Sequence, residues 1–124
     1  MKSLFHLAFH ERDLDASRVF YGRLLGCTEG RSTDTWVEFD FFGHQISLHL
    51  GEPFAVTATG RVGDHRVPMP HLGFVLEMPA WQALPDRFVG AGHLFNQATM
   101  FFLDPCGDPI EVKGFANIDA IYDR

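Results

Sequence analysis

Two short segments of the chain carry the same alternation of apolar and polar residues. The segment His6-Leu7-Ala8-Phe9 recurs as His71-Leu72-Gly73-Phe74, and in each copy every second residue is apolar. A period of two is typical of a strand with one buried face. The repeat therefore predicts two equivalent strands that begin two related halves of the chain.

A helix is predicted after each of these strands. After the first strand, Asp13 is a suitable N-cap, apolar residues follow at helical spacing, and Gly26 offers a left-handed end. After the second strand, the helical spacing resumes at Trp81 and extends to Gly90. Pro85 is expected to kink or restart that helix, because proline lacks a backbone donor and clashes with the preceding turn.

Each predicted helix is followed by two β-type runs, at residues 35–41 and 45–49 in the first half and at 99–103 and 110–113 in the second. Glycine and proline turns separate the runs. The sequence thus predicts a single domain composed of module 1 (about residues 1–50), a linker without periodicity (about 51–70), module 2 (about 71–115) and a tail (116–124).

Alignment of the two halves on their glycine turns makes Ser47 equivalent to Glu111. Because a duplicated unit places equivalent residues around a pseudo-two-fold axis, we expect His6, His71, Ser47 and Glu111 to converge. Two imidazoles and one carboxylate form a facial triad, which leaves coordination positions for substrate, water or dioxygen. The pattern predicts a metal site of His6, His71 and Glu111 that suits Fe(II) first and Mn(II) next.

Other polar residues are candidates for the same site. His49 lies two residues beyond Ser47 on the same strand face, where it would act as an acid or base or as a fourth ligand. Gln45 and Ser47 share that face and are expected to contact substrate. Glu38 is a competing carboxylate, but the repeat favours Glu111.

Two further features are interpreted as structural. The Glu11-Arg12-Asp13 run is expected to be a solvated corner with a helix cap, and Cys106 is expected to face solvent in a turn. Cys106 has no base at a spacing that would make it a nucleophile.

Composition and charge narrow the classes of function. The chain has 124 residues, of which 46% are hydrophobic, as expected of one soluble globular domain. A net charge of −6 argues against a nucleic-acid partner. Two cysteines favour a reducing compartment, and no apolar run approaches the ~18 residues of a membrane span, so a cytoplasmic protein is expected.

Over residues 4 to about 115 the chain resembles the vicinal oxygen chelate superfamily, which contains glyoxalase I, extradiol dioxygenases, fosfomycin-resistance thiol transferases and bleomycin-binding proteins. The resemblance is carried by Phe5-His6-Leu7-Ala8-Phe9, Arg12-Asp13-Leu14, Phe20-Tyr21, Leu24-Leu25-Gly26, the run from Met100 to Pro105, Gly107 and Ile110-Glu111. It implies an α+β fold in which two βαβββ modules form a cupped, barrel-like mixed sheet with helices on the outer face. It also carries the metal-ligand roles onto His6, His71 and Glu111.

Within this superfamily the first expectation is an extradiol-type dioxygenase that binds a small substrate through two vicinal oxygens. Fe(II) is the expected metal, with Mn, Zn or Ni as alternatives, and His49 would move protons. A glyoxalase-like lyase or isomerase is an alternative, although glyoxalase I has a carboxylate where this chain has Ser47. A non-catalytic antibiotic-binding protein is a further alternative, and such proteins dispense with the metal triad.

The resemblance bears on two further points. Because paired modules come from one chain or are exchanged between two, a homodimer is expected. Residues 91–98 are shorter than the strand and hairpin that relatives usually have there, so we expect either a reduced pocket rim or a missing segment.

Overall fold

The computed structural model describes residues 1–84, 91–94 and 97–123. The chain divides into two compact units. The first unit comprises residues 1–55 and 104–108, and the second comprises residues 56–103 and 109–124. No helix of the described residues is both long and apolar enough to cross a lipid bilayer.

The first unit is a βαβββ module. Its elements are β1 (His6–Glu11), α1 (Leu14–Ser17), which continues as a π-helix (Arg18–Leu24), β2 (Thr28–Ser32), β3 (Trp36–Phe41) and β4 (His44–Leu50). The sheet order is β1-β4-β3-β2, with β1 parallel to β4 and the other pairs antiparallel. The crossover between the parallel strands contains the helix, as parallel pairing requires.

Local chemistry explains where the first helix begins and ends. The Asp13 carboxylate accepts a hydrogen bond from the Ala16 backbone amide at 3.0 Å, so the predicted N-cap is confirmed. Gly26 has φ of +77° and ends the helical segment as predicted. The helix buries Phe20 and Tyr21 against the sheet side of the module, and Tyr21 contacts Phe39 of β3.

The segment predicted as an irregular linker contains a β-hairpin. The strands β5 (Thr57–Val62) and β6 (His65–Met69) pair antiparallel across a turn with Gly63 at φ of +59°. The prediction missed the hairpin because its side chains are mostly exposed and show no apolar alternation. Part of the predicted tail also has structure, a 3₁₀ helix over Ile118–Tyr122.

The second unit repeats the βαβββ order. Its elements are β7 (Leu72–Glu77), α2 (Met78–Gln82), β8 (Ala91–Leu94), β9 (Gln97–Leu103) and β10 (Pro109–Phe115). The sheet order is β7-β10-β9-β8, with β7 parallel to β10. The predicted α+β class and the two equivalent βαβββ modules are therefore confirmed.

The second helix is short where it is described. The Trp81 indole N–H donates to the Val112 carbonyl at 3.0 Å, which fastens α2 to β10. The predicted continuation to Gly90, with the kink at Pro85, falls on residues 85–90 and lies outside the described residues. Within residues 91–98, β8 pairs with β9, and residues 95 and 96 between these strands lie outside the described part of the chain.

Candidate metal centre

His71 and Glu111 are brought together in the second unit. His71 directly precedes β7 and Glu111 lies on β10, the parallel neighbour of β7. The His71 Nε2 and Glu111 Oε1 atoms are 3.4 Å apart, and both side chains are largely buried, with 23% and 15% exposed. The far ring nitrogen, Nδ1, is 2.7 Å from the Pro68 carbonyl oxygen, which only accepts, so Nδ1 carries the proton.

The Glu111 carboxylate is also fixed at its far oxygen. The Thr99 hydroxyl of β9 donates to Oε2 at 2.7 Å, which leaves Oε1 directed to His71. The Lys113 ammonium, two residues along β10, is 3.9 Å from the same Oε1. The Phe101 ring packs edge-on against the His71 imidazole, with ring centroids 5.2 Å apart.

The strand register supports the internal alignment of the two halves. Gly73 pairs with Glu111 across β7 and β10, and Ala8 pairs with Ser47 across β1 and β4. Ser47 and Glu111 are thus equivalent positions, as the glycine turns predicted. Gly73 is required there, because a Cβ at this residue would collide with the Glu111 backbone carbonyl.

The pair opens onto a cavity in the second unit. The cavity has a volume of about 260 Å³ and is lined by His71, Gly73, Phe74, Val75, Glu111 and Lys113. It combines apolar walls with a few convergent polar groups, as small-molecule sites do.

His6 has a comparable arrangement in the first unit. Its Nδ1 is 2.6 Å from the Gln45 Oε1 atom, so with Oε1 as acceptor the Nε2 lone pair is left for another partner. Gln45 is the register partner of His6 on β4, and His6 is exposed. The convergence of His6 with His71 and Glu111 remains a prediction.

The other candidate residues have different surroundings. Ser47 is buried within β4, whereas His49 is exposed and its ring stacks on Trp36 with centroids 6.3 Å apart. The competing carboxylate, Glu38, is engaged by both Nε and Nη2 of Arg31 at 3.3 and 3.2 Å. A carboxylate engaged in such a bidentate interaction with a guanidinium is less available as a metal ligand.

Sequence reasoning missed a buried acidic group in the first unit. The group, here called the Glu11 cluster, consists of Glu11, Asp104, Cys106 and Asp108. Its first three members offer ligand atoms within 4.8 Å of one another, and Asp108 neighbours Glu11. The predicted solvated corner at Glu11 is therefore wrong. Glu11 is fully buried because it continues the alternation of Leu7 and Phe9 on the inner face of β1. That alternation was the available signal.

The Glu11 cluster is tied to the first helix and to its own turn. The Ser17 hydroxyl donates to Glu11 Oε1 at 3.2 Å, and the buried Tyr21 hydroxyl donates to Asp104 Oδ2 at 2.8 Å. Asp104 Oδ1 accepts the Cys106 and Asp108 backbone amides. Cys106 is half-buried in its turn, and its Sγ accepts the Arg12 amide at 3.2 Å.

Burial changes the acidities in this cluster. Burial first, and then the Asp104 carboxylate, raises the pKa of Glu11 far above its ordinary value. Burial also raises the pKa of Asp108. Tyr21 is affected in the same direction, because burial and the neighbouring carboxylates raise the pKa of its phenol.

The donor set of His71 and Glu111 fits a divalent metal ion. Both facing atoms are hydrogen-bond acceptors when the imidazole is neutral, so they require a proton or a cation between them. Ligands about 2.1 Å from one ion and at 90° to 109° to each other are separated by about 3.0 to 3.4 Å. The observed 3.4 Å lies in that range and is long for a hydrogen bond. A ring nitrogen tied to a backbone carbonyl is the usual outer support of a metal-binding histidine.

Comparison with known proteins shows which solved structures have a similar fold. No model of a protein family and no curated protein sequence matches the chain. Among solved structures, a glyoxalase/bleomycin resistance protein/dioxygenase from Alicyclobacillus acidocaldarius is 24% identical, with a TM-score of 0.68, over 97% of this chain and 96% of that one.

Two other solved structures carry more specific names. A lactoylglutathione lyase from Agrobacterium tumefaciens is 17% identical, with a TM-score of 0.61, over 92% of this chain and 94% of that one. The fosfomycin resistance protein FosX from Mesorhizobium loti is 13% identical, with a TM-score of 0.66, over 98% of each chain. The duplicated βαβββ modules and these likenesses together show that the chain has the fold of the vicinal oxygen chelate superfamily.

Proposed function

We propose that this protein is a metal-dependent enzyme, an extradiol-type dioxygenase that binds a small substrate through two vicinal oxygens. His6, His71 and Glu111 would hold the metal, with Fe(II) as the first candidate. The observation that carries the proposal is the 3.4 Å approach of His71 Nε2 to Glu111 Oε1, with the far atom of each side chain already tied. Bound divalent iron supplies a Lewis acid and an electron source for dioxygen chemistry.

The protein residues have separate tasks in this proposal. The Pro68 carbonyl holds His71 in the tautomer that leaves Nε2 free, and Thr99 holds the Glu111 carboxylate. Gln45 does the same for His6 through its Oε1 atom. Fixed side chains lower the entropic cost of assembling the reactants.

Charge in the cavity favours an anionic substrate. The Lys113 ammonium lies beside the Glu111 carboxylate on the cavity wall. A deprotonated pair of vicinal oxygens is stabilised by a neighbouring cation in a partly buried site. His49, exposed on β4, is proposed to move a proton between substrate and solvent.

Oxygen uptake tests this proposal. Protein purified anaerobically and reconstituted with Fe(II) is supplied with a panel of catechols in an oxygen electrode. We expect uptake with at least one catechol, and a loss of at least roughly tenfold in His71→Ala and Glu111→Gln. Glu38→Gln is the matched control, because Glu38 is a half-buried carboxylate held by Arg31.

A metal-dependent lyase is the second candidate. The likeness to a lactoylglutathione lyase has the same fold-level weight as the likeness to the dioxygenase-named structure. The same panel, extended to 2-oxoaldehyde thiol adducts and run under nitrogen with Zn, Ni or Mn, separates the two. Turnover without oxygen supports the lyase and contradicts the dioxygenase.

A further inference from the structure

The Glu11 cluster brings three carboxyl groups together in the interior of the first unit. Glu11 and Asp108 are fully buried and Asp104 is 5% exposed. Burial raises the pKa of Asp108 in spite of the Arg12 guanidinium, whose Nε is bonded to the exposed Glu52 at 3.3 Å. Buried carboxylates in this number require protons or a cation to neutralise them.

Three oxygens of the cluster have no hydrogen-bond partner among the described residues. They are Glu11 Oε2 and both carboxylate oxygens of Asp108. Buried polar atoms are rarely left unpaired, because each loses its hydration without a replacement. Asp104 Oδ1 accepts two backbone amides, whereas Asp104 Oδ2 accepts the Tyr21 hydroxyl and keeps a second lone pair for an ion.

The ligand atoms that the cluster offers lie within the reach of a single ion. One atom each from Glu11, Asp104 and Cys106 lies within 4.8 Å of the other two. Zn–O and Zn–S bonds of about 2.1 and 2.3 Å place opposed ligands at most about 4.4 Å apart. A spacing within 4.8 Å is therefore close to the separation of ligands across the shell of one ion.

We propose that the Glu11 cluster is a second cation site, in which one carboxylate oxygen of Glu11, one of Asp104 and the Cys106 thiolate bind a divalent ion of borderline softness such as Zn²⁺. The mixed carboxylate and thiolate donor set selects this class over Ca²⁺ or Mg²⁺, which take oxygen ligands. Cys106 is the half-buried member, so it provides the route by which an ion enters.

A cadmium titration tests the site in the whole chain. Cd²⁺ replaces Zn²⁺ and gives an ultraviolet thiolate-to-metal absorption band. We expect this band in the reduced wild-type protein, its loss in Cys106→Ser, and its retention in Cys27→Ser, which removes the other thiol. It also persists in His71→Ala with Glu111→Gln, so failure of the proposed function does not affect the result.

Zinc affinity provides the second measurement. In competition with a chromophoric chelator, we expect Glu11→Gln and Asp104→Asn each to weaken Zn²⁺ binding roughly 10- to 100-fold. These variants remove buried charge and keep the side-chain shape, so they are expected to fold. Circular dichroism of each variant verifies this.

Three outcomes would overturn the proposal. One is the absence of a cadmium band in the wild type, and another is a band of equal intensity in Cys106→Ser. The last is a Zn²⁺ affinity unchanged in Glu11→Gln together with no rise in Tm on adding Zn²⁺, which would mean that the cluster is neutralised by a proton.

Discussion

At the scale of single residues, Glu11 is an acidic residue that lies on the buried face of a strand. Alternation along β1 places Leu7, Phe9 and Glu11 on one side, and the structure buries Glu11 completely. The alternation in the sequence indicates a buried Glu11. A run of charged residues is more often solvated, so the Glu11-Arg12-Asp13 run instead predicted a solvated corner. Burial of an unpaired carboxyl favours its neutral form and makes stability depend on pH.

Replacement of Glu11 by glutamine is expected to flatten that dependence in metal-free protein. The folded-state pKa of Glu11 is raised above its ordinary 4.5, so its contribution is fully present below about pH 4.5 and is lost as the pH rises through neutrality. Urea unfolding with a chelator present, from pH 5 to 9, should show the wild type losing stability relative to Glu11→Gln. The exposed Glu52→Gln variant is the control. Parallel curves for the wild type and Glu11→Gln would contradict the explanation.

Thr99 is a positioning residue for Glu111. Because its hydroxyl holds Oε2 at 2.7 Å, Thr99→Val should free the carboxylate and weaken Fe(II) binding roughly 10- to 100-fold. Anaerobic Fe(II) titration measures this, and Thr57→Val on the exposed β5 strand is the matched control. Equal affinity in Thr99→Val and wild type would show that the carboxylate needs no such support.

At the scale of elements, the close packing of β7 on β10 shapes the candidate metal centre. The sequence predicted both strands and the equivalence of Ser47 with Glu111, because apolar alternation and glycine turns are local signals. It did not predict β2 or the β5–β6 hairpin, whose residues are mostly exposed and polar. Such strands are specified by pairing with neighbours rather than by their own pattern.

Substitution of Gly73 tests the close packing of β7 on β10. A Cβ there meets the Glu111 carbonyl, so Gly73→Ala should push β7 from β10 and cost about 1 to 3 kcal/mol of unfolding free energy. It should also reduce Fe(II) binding, because His71 and Glu111 separate. Gly30→Ala, where a Cβ would make ordinary contacts with Glu38, should change stability by less than about 0.5 kcal/mol. Denaturant unfolding distinguishes the two, and equal effects would contradict the steric argument.

At the scale of the whole molecule, the duplication explains why the fold could be predicted and the complete site could not. The repeat is visible in sequence, and both modules adopt the same strand order. The support around each ligand was not predictable, because Pro68 and Thr99 meet His71 and Glu111 only through strand register and loop geometry. No local sequence pattern indicates that the Pro68 backbone carbonyl will fix the tautomer of the His71 imidazole.

Assembly is a further prediction at this scale. Paired modules that can be exchanged between chains favour a homodimer, so light scattering should give about twice the 14.0 kDa mass of the chain. The measurement is repeated at several protein concentrations. A mass equal to one chain throughout would contradict the prediction.

The central claim is that His6, His71 and Glu111 bind one metal ion. Anomalous diffraction at the iron edge, from crystals of Fe(II)-reconstituted Cys106→Ser protein grown without oxygen, tests it most directly because this variant lacks the thiol of the Glu11 cluster. We predict one iron peak at bonding distance from His6 Nε2, His71 Nε2 and Glu111 Oε1. An iron peak that lacks His6 as a ligand, or no peak beside His71 and Glu111, would contradict it.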